Sequence, residues 1–443
     1  MQTIMKPVIK QLFFLFILNL ILAFLVKGIT DFVGFKNGLI SFEHTQMIFS
    51  GKIGTDSWQP MKRAYDHWIE SQGQSLLYTD LLINHKVKVK FQYPPTTLLI
   101  TQFIERNHIN QLNFSIATTL IFLFLMILSV IVTTLYSYRE YKAHQLSITE
   151  EVIVGVLLAL LFFTFYPVLK AATLGQIQVW LNSIFALAIL CYLIGYETAA
   201  GILLGIMASI KPQYALFVLW GLFRGNNRLV IAMIVTGALG LLLGIHEFGF
   251  SMYLDYLRGL SYLAQHGESH HSNQSFNGLI GRLYSLRYPD LFNNTEWLNY
   301  QFPPYNIWVF TFTQITTIAI LLISLIKTKS RQIEARLADF LLMGLGATLA
   351  SPIAWEHHYG ILFPIFTCVW LVLWFGESPL NQTWAKIVFV VCYLFAANEM
   401  PFTELLANSY LNILQSYLFF AACGVFILLI LIKHEFKFIP TTQ

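Results

Sequence analysis

Charged residues are scarce in this sequence. Only 11% of its 443 residues are Asp, Glu, Lys or Arg, and 56% are hydrophobic, whereas a soluble domain carries roughly a quarter charged residues. Continuous apolar stretches of about 20 residues recur, each long enough to cross the hydrocarbon core of a bilayer as a helix. Lipid offers the backbone no hydrogen-bond partners, so we expect an all-α polytopic membrane protein. The net charge of +4 is modest, and we expect no nucleic-acid partner.

Cysteine is equally rare, and repeats are missing. The four cysteines are all in apolar segments, and none has the spacing of a metal knuckle or a redox pair, so we expect buried free thiols. No internal repeat of solenoid period and no low-complexity segment is present. No secretory cleavage site follows the first apolar run, so that run is predicted to be a retained span.

The apolar runs predict about twelve transmembrane or half-membrane helices in one integral membrane domain, 1–443. The stretch 199–228 is interrupted by Lys211-Pro212, and proline breaks a helix. We interpret it as a hairpin of two short segments with Lys211 near the outer tip. The other spans are predicted near 8–27, 114–135, 150–168, 175–195, 229–245, 307–326, 337–351, 359–375, 385–397 and 411–432.

Basic residues orient these spans. Lys6 and Lys10 precede the first span and favour a cytoplasmic N-terminus. Counting the hairpin as two passes places the later basic loops and the C-terminus inside as well, in the plasma (inner) membrane. The long loops 28–113 and 246–306 then lie outside, with amphipathic helices expected in the first of them. Because function usually resides in such loops, we expect the active site on the outer face. The helices of 376–443 carry no recognised motif.

Single polar residues mark the outer ends of several spans. Asp31 follows the first span, Tyr93 begins a Tyr-Pro-Pro turn, and Gln176 follows Gly175 where a span opens. Lys211 lies between two half-helices, where it could neutralise a phosphate or extend toward lipid headgroups. Capping, turn formation or simple solvation would explain each of these residues by itself.

Two further polar stretches lie late in the chain. The second outer loop contains Asn273, Gln274 and Arg282; amides match sugar hydroxyls, and arginine binds phosphate oxygens in a forked geometry. An ordinary polar loop would contain the same residue types.

The other stretch runs Trp355, Glu356, His357, His358 between two apolar segments, and we expect it at the outer mouth of a helix pair. It lacks the H-E-x-x-H spacing and a third ligand, so we predict no metal and no cofactor.

The order of these motifs carries more information than any one of them. Asp after the first span is followed by Tyr-Pro-Pro, Gly-Gln, Gly-x-x-x-x-x-Lys-Pro, Asn-Gln-Ser with a downstream Arg, and Ser-Pro-Ile-x-Trp-Glu-His-His. This series resembles glycosyltransferase family 87, a polyprenyl-phosphate-mannose-dependent branch of the GT-C superfamily. The resemblance implies a GT-C-like helical bundle and an inverting transfer of a hexose, mannose in this family, from a polyprenyl-phosphate carrier. The acceptor would be a glycolipid, glycan or protein on the non-cytoplasmic face.

The resemblance also implies roles for the residues. Asp31 would be the general base, because an acceptor hydroxyl needs one within reach. Lys211, Arg282 and His357 or His358 would neutralise the donor phosphate, since a fixed cation stabilises the leaving group. The substrate cavity would be lined by Tyr93, Gln176, Asn273, Gln274, Trp355 and Glu356. The family's tyrosine-rich helix after the first acid is absent here, so the acceptor side is expected to differ. Glu43 and His44 are nearby alternatives, and Asp56 and Asp66 also lie in this loop.

Two other functions fit a broken helix with a central Lys-Pro. One is a multi-pass transporter of a small polar or anionic solute, and the other is a non-catalytic lipid-binding membrane protein. Transporters usually have related halves and polar residues at mid-membrane. The absence of a half-repeat and the polar groups on one predicted face favour the enzyme.

Overall fold

The computed structural model describes residues 6–34, 40–86, 88–142, 146–287, 302–330, 332–378 and 380–434. Parts of both predicted outer loops, 35–39 and 288–301, and the residues from 435 onward lie outside the described residues. Within the described ranges the regular structure is helical, with a single isolated β-bridge between Asn273 and Trp355. The predicted all-α class is therefore confirmed.

The described residues form eighteen α-helices. Their bounds are α1 Pro7–Phe32, α2 Ser41–Phe49, α3 Trp58–Glu70, α4 Leu98–Arg106, α5 Gln111–Lys142, α6 Ile148–Phe162, α7 Tyr166–Leu174, α8 Gln178–Leu193, α9 Glu197–Ile210, α10 Leu216–Arg224, α11 Asn227–Phe248, α12 Phe250–His266, α13 Phe276–Ser285, α14 Ile307–Leu325, α15 Ile333–Leu349, α16 Leu362–Phe375, α17 Thr383–Ala397 and α18 Tyr417–His434. Short 3-10 turns cover Pro95–Thr97, Pro212–Ala215, Glu356–Ile361, Pro401–Leu406 and Tyr410–Ser416, and one π turn covers Thr79–Ile83.

Six of the described helical segments are long and apolar enough to cross a membrane, and α6 with α7 makes a seventh if that pair, bent by 65°, counts as one span. Three shorter apolar helices, α8, α9 and α17, accompany them. This confirms a multi-pass membrane protein, while the number of twelve passes stays a prediction. The segment Glu356–Phe375 is 89% buried and α14 only 17%, so the first lies in the centre of the bundle and the second at its lipid-facing edge.

The chain breaks at Lys211, as its sequence predicts. Lys211 has extended backbone angles, φ −132° and ψ 100°, between α9 and the 3-10 turn that begins at Pro212. The residue before a proline is sterically driven out of the helical region, so the sequence itself ends α9 at this point.

The chain also reverses direction there. A Cβ on Gly201 of α9 would lie 2.3 Å from the Leu229 carbonyl of α11, and one on Gly205 would lie 2.7 Å from Thr236. Residue numbers rise together along the two helices, so α9 and α11 run parallel and α10 must return between them. Glycine allows this close approach because it has no side chain.

A buried ion network closes the far end of α10. The Asp339 carboxylate of α15 accepts hydrogen bonds from Arg224 Nε at 2.5 Å and Nη2 at 2.7 Å, and Lys433 Nζ of α18 lies 2.8 Å from it. Buried charges persist only when paired, so this network ties three helices together at the end opposite Lys211.

The 3-10 turn Glu356–Ile361 lies where several central helices meet. It packs against α7 and α8 and leads directly into α16. A Cβ on Gly360 would lie 2.0 Å from the Asn182 amide of α8, so only glycine fits there. The turn is therefore held rigidly against the bundle, which fixes the residues that it presents to the cavities.

Candidate active site

Two cavities of similar size open beside each other. One has a volume of about 370 Å³ and a mostly apolar lining that includes Leu216, Leu260 and Leu263; we call it the apolar cavity. The other, about 410 Å³, is lined by charged and polar side chains around Asp56, and we call it the polar cavity. Both volumes are in the range of small-molecule sites.

Three residues, Lys90, Tyr93 and Trp355, line both cavities and form the wall between them. Trp355 Nε1 donates to Glu268 Oε2 at 2.7 Å, and Lys90 Nζ lies 2.6 Å from Glu268 Oε1. The Lys90 ammonium also lies 4.5 Å from the centroid of the Phe302 ring. A carboxylate bonded to two fixed donors loses its freedom to rotate, so Glu268 holds this wall in one geometry.

The apolar cavity has a polar end. Lys211 and His358 line it, and Lys211 is only 8% exposed. Lys211 Nζ donates to Gln178 Oε1 of α8 at 2.7 Å, and burial without an acidic partner among the described residues lowers the pKa of Lys211 to about 7. An anionic head group would stabilise the charged form of this lysine, so the apolar cavity suits a ligand with a lipid tail and an anionic head.

In the polar cavity, Asp56 is anchored by Gln176. The Gln176 side-chain amide donates to Asp56 Oδ2, while its oxygen accepts from Ser57 Oγ at 2.6 Å and from the Tyr93 hydroxyl at 3.3 Å. Gln176 thus joins the carboxylate to the shared wall.

The backbone brings these two segments together. Gly54 N and Asp56 N donate to the carbonyls of Thr173 and Leu174 at 2.8 Å and 2.9 Å. Gly175, which follows, has φ +68° and ends α7 in the left-handed conformation that glycine adopts without strain. The tight turn places Gln176 directly beside Asp56.

Protein packing changes the titration of this site. Burial raises the pKa of Asp56, and the hydrogen bond from Gln176 and the Lys170 ammonium only partly oppose it. The carboxyl still faces open space inside the cavity. Burial also raises the pKa of Tyr93 and lowers the pKa of His270 to about 2, so the phenol and this imidazole are neutral. Asp56 is thus a carboxylate of enhanced basicity.

Cations surround this carboxylate. Arg63, Lys88, Lys90 and Lys170 all line the polar cavity. Lys90 is paired with Glu268, and Lys170 Nζ lies 3.6 Å from Glu399, whereas Arg63 and Lys88 are exposed at the rim. This positive surrounding favours anionic or electron-rich ligands.

The two adjacent histidines face different cavities. His357 lines the polar cavity and His358 the apolar one. Their rings are 4.7 Å apart and nearly perpendicular, at 89°, and the Trp355 ring lies 5.5 Å and 5.8 Å from them. The sequence predicted that one of the two would point inward; in the structure each contacts one side of the shared wall. Glu356 lines the polar cavity as well.

The predicted second outer loop holds this motif in place. Ala354 N donates to Asn273 Oδ1 at 2.9 Å, and Asn273 Nδ2 donates to the Pro352 carbonyl at 3.1 Å. Gln274 N bonds the Ala354 carbonyl at 2.8 Å, and its side chain donates to the Gln415 carbonyl at 2.7 Å. Both side chains are buried and line neither large cavity. They were predicted to line the substrate cavity, but their hydrogen bonds are directed to protein backbone.

Arg282 also lies away from the cavities. It is fully buried and donates to the carbonyls of His270 and Asn273 at 3.0 Å and 2.9 Å and to Ser416 Oγ at 2.5 Å. Nη1 and Nη2 thus bond the protein, while Nε has no hydrogen-bond partner among the described residues, and the contact with a donor phosphate stays a prediction. Residue type alone does not reveal which partners use the donors.

Asp31 lies at the end of α1, outside the linings of both cavities. Its carboxylate pairs with Lys27 at 2.9 Å and its side chain is 58% exposed. The alternatives differ: Glu43 lies 3.9 Å from the same lysine, Asp66 pairs with Lys62 at 3.2 Å, and His44 is buried. Of the acids and the histidine considered for the base, Asp56 lines the polar cavity, and the others line neither of the two large cavities.

Sequence reasoning missed Lys90 and Lys170. Lys170 carried a usable signal, because a lysine inside an apolar helix is costly and marks functional sites. Lys90 lies in a loop with other lysines and carried none. Within the described ranges, no group of three or more His, Cys, Asp or Glu side chains is arranged to hold a metal ion.

Comparison with known proteins gives one match. The family model of glycosyltransferase family 87 matches residues 91–352, more than half of the chain. The matched segment contains Tyr93, Gln176, Lys211 and the second outer loop, begins after Asp56 and ends just before Trp355. No curated protein and no solved structure matches the chain significantly. With its helical membrane fold and paired cavities, the chain belongs to glycosyltransferase family 87.

Proposed function

We propose that this membrane glycosyltransferase moves a hexose, mannose by family resemblance, from a polyprenyl-phosphate carrier to an acceptor hydroxyl, with Asp56 as general base. The supporting observation is the pair of cavities of opposite character that share one wall. An acid lies on one side of that wall and a buried cation on the other. A lipid-linked donor and a polar acceptor would need this arrangement.

The donor would occupy the apolar cavity. Its leucines suit a prenyl chain, and Lys211 with His358 at the polar end suits the phosphate. Lys90 also lies in the shared wall, where Glu268 neutralises it. Cations fixed before the reaction neutralise the leaving phosphate without reorganisation, which is the most effective form of electrostatic catalysis.

The acceptor would enter the polar cavity and meet Asp56. The carboxylate takes the hydroxyl proton, the hydroxyl oxygen bonds the anomeric carbon, and the carbon–phosphate-oxygen bond breaks with its electron pair on the lipid phosphate. A single in-line displacement, with the acceptor hydroxyl attacking the face of the sugar opposite the leaving phosphate, would invert the anomeric centre. No acid is needed, since phosphate is already a good leaving group.

The geometry favours Asp56 over Asp31 for the base. Asp56 is oriented by Gln176 and faces a cavity, whereas Asp31 is paired with Lys27 and largely exposed. The placement of this site on the outer face of the plasma membrane, with both termini inside, follows from the basic loops and is part of the proposal.

A transfer assay with matched variants tests this. Purified protein in liposomes would receive polyprenyl-phosphate-[¹⁴C]mannose and an extract of the glycolipids and glycans from its native membranes. We expect radiolabelled product from the unmodified protein, at least a 100-fold lower rate for Asp56→Asn, and a rate within about twofold for Asp31→Asn.

Other outcomes have clear meanings. Full activity of Asp56→Asn with loss in Asp31→Asn would assign the base to Asp31. Absence of transfer from glucose-, galactose- and mannose-charged carriers alike would contradict the lipid-linked donor. Uptake of a solute into sealed vesicles would favour the transporter.

A further inference from the structure

One tyrosine hydroxyl lies between two carboxylates at the edge of the polar cavity. The Tyr166 hydroxyl is 2.8 Å from Glu356 Oε2 and 3.0 Å from Glu399 Oε1. Tyr166 and Glu356 are buried, and Glu399 is largely so. Both distances are those of true hydrogen bonds.

Counting hydrogens constrains this arrangement. A phenol hydroxyl has one hydrogen and can donate to only one carboxylate. The second contact is a hydrogen bond only if the other carboxyl group carries a proton and donates it to the phenol oxygen. Two ionised carboxylates around one hydroxyl would leave an unpaired buried anion, which is costly. The three side chains therefore hold one extra proton between them.

The surroundings decide which carboxyl group is neutral. Lys170 Nζ lies 3.6 Å from Glu399 and His44 Nε2 lies 3.7 Å from it. Burial raises the pKa of Glu399, but Lys170 and His44 together lower it below its ordinary value. Glu356 has no such ion pair among the described residues. The extra proton therefore resides on Glu356, which donates to Tyr166, and Tyr166 donates to ionised Glu399.

His44 supports this assignment. Thr173 Oγ1 donates to the Leu169 carbonyl at 3.0 Å, so His44 Nδ1, 3.0 Å from the same hydroxyl, must be the donor to it. Its Nε2 faces Glu399 Oε2, and neither atom has a hydrogen-bond partner among the described residues. His44 therefore lies against Glu399, 3.7 Å from its Oε2, and not against Glu356.

We propose that Glu356, Tyr166 and Glu399 share one proton, and that this sharing presents Glu356 to the polar cavity as a neutral carboxylic acid. Its other oxygen can then accept a hydrogen bond from a sugar hydroxyl without repelling the donor phosphate. Tyr166 and Glu399 are positioning residues that act through Glu356. The substrate contact rests on the proposed function; the shared proton does not.

Other charged and titratable groups surround the triad. They are Lys170 from α7, His271 from the loop before α13, Arg282 from α13, Glu404 from the 3-10 turn Pro401–Leu406, Tyr417 from the start of α18, and His44 from α2. His271 Nε2 is 3.0 Å from Glu404, so that pair is internally neutralised when the histidine is protonated. Lys170 forms its ion pair with Glu399, and Arg282 donates to backbone carbonyls and Ser416, so neither cation forms an ion pair with Glu356.

Infrared spectroscopy tests the shared proton directly. The probe is the carbonyl stretch of a protonated carboxylic acid, compared in H₂O and D₂O near neutral pH on purified full-length protein. We expect this band in the unmodified protein and in Asp56→Asn, which removes the carboxyl group proposed as the base. We expect its loss in Glu356→Gln and in Glu399→Gln, because the glutamine amide then donates to Tyr166 in place of a carboxyl proton.

A matched tyrosine variant distinguishes loss of the Tyr166 hydrogen bonds from a general effect of removing a buried hydroxyl. Tyr166→Phe removes the bridging hydroxyl and should shift or abolish the band. Tyr393→Phe removes another buried hydroxyl, one without a hydrogen-bond partner among the described residues, and should leave the band unchanged. A wild-type spectrum without the band, or a band that survives both Glu→Gln changes, would overturn the proposal.

The transfer assay tests the functional part. In Glu399→Gln, Tyr166 would accept from the introduced amide and donate to an ionised Glu356, which repels the donor phosphate. We expect the KM for polyprenyl-phosphate-mannose to rise about tenfold with a smaller change in kcat, while Tyr393→Phe behaves as wild type. An unchanged KM would refute the role of Glu356 toward the donor. If no transfer is found at all, the proposed function fails while the infrared comparison still decides the shared proton.

Discussion

Gln176→Leu is the sharpest test of the electrostatics of Asp56. The change removes the amide that donates to Asp56 but nearly preserves side-chain volume. Ser57 Oγ and the Tyr93 hydroxyl, 3.3 Å apart, can still bond each other. A hydrogen bond to a charged group contributes about 1.5–3 kcal/mol. Asp56 is open to the cavity, so we take the lower end, which corresponds to about one pKa unit at 1.36 kcal/mol per unit.

The sign of the effect follows from the role of the base. The ordinary pKa of the carboxyl is 3.8, and burial already raises it in the folded protein. Losing the amide raises it further. Only the ionised carboxylate accepts a proton, so kcat/KM should fall in acid. The apparent pKa of this fall should lie above 3.8 in the wild type and about one pH unit higher in Gln176→Leu.

Stability gives a second readout. A folded-state pKa above the unfolded value stabilises the protein at low pH, and this contribution is lost as pH rises through the folded pKa. The melting temperature of Gln176→Leu should therefore fall below wild type near neutral pH and approach it in acid. Gln265→Leu, at an exposed glutamine that bonds only Ser261, is the control. Superimposable pH–rate and pH–stability profiles for wild type and Gln176→Leu would refute the assigned contact.

Three further changes address other parts of the site. Lys211→Met should raise the KM for polyprenyl-phosphate-mannose about tenfold, a loss of roughly 1.4 kcal/mol, with Lys211→Arg intermediate; a fall in kcat alone in steady-state assays would contradict phosphate binding. Arg282→Met should lower the free energy of unfolding by about 2–4 kcal/mol in detergent melts, because buried carbonyls near it lose their hydrogen-bond donor. A raised KM for polyprenyl-phosphate-mannose without destabilisation would instead support its predicted contact with the phosphate. Gly175→Ala should abolish transfer and destabilise the protein, because the new Cβ would lie 1.9 Å from the Gly54 carbonyl. Gly195 is the control: its φ of +85° is similar, but a Cβ there would have no atom within 4 Å. Gly195→Ala should therefore lower the free energy of unfolding only by the backbone strain, about 1–2 kcal/mol. Equal melting temperatures for the two glycine variants would show that the Gly54 contact does not hold Asp56.

Several features of the fold were predictable because they depend on local chemistry. Long apolar runs can satisfy their backbone in lipid only as helices, and the helix before Pro212 has to end at Lys211. The helical membrane class and this break are confirmed, and the parallel course of α9 and α11 agrees with the predicted hairpin.

The choice among the acids was not predictable in this way. Asp31 and Asp56 both fall in the segment 28–113 that the sequence predicts to be one outer loop, and nothing local in the sequence separates them. Asp56 faces the cavity because its backbone bonds the carbonyl of Leu174 and its carboxylate bonds Gln176, 120 residues later in the chain. Such contacts depend on how distant segments pack, which residue spacing does not encode.

By itself the sequence determined the helical membrane class, the break at Lys211, and the set of polar residues available for sugar and phosphate chemistry, since these follow from hydropathy, proline geometry and residue type. The tertiary structure decided how those residues are used. It directs Asn273, Gln274 and Arg282 into the protein backbone, gives His357 and His358 a cavity each, and joins Glu356 to Glu399 through Tyr166. A polar side chain has the same donors wherever it lies, and only three-dimensional packing determines whether a ligand or the chain itself receives them.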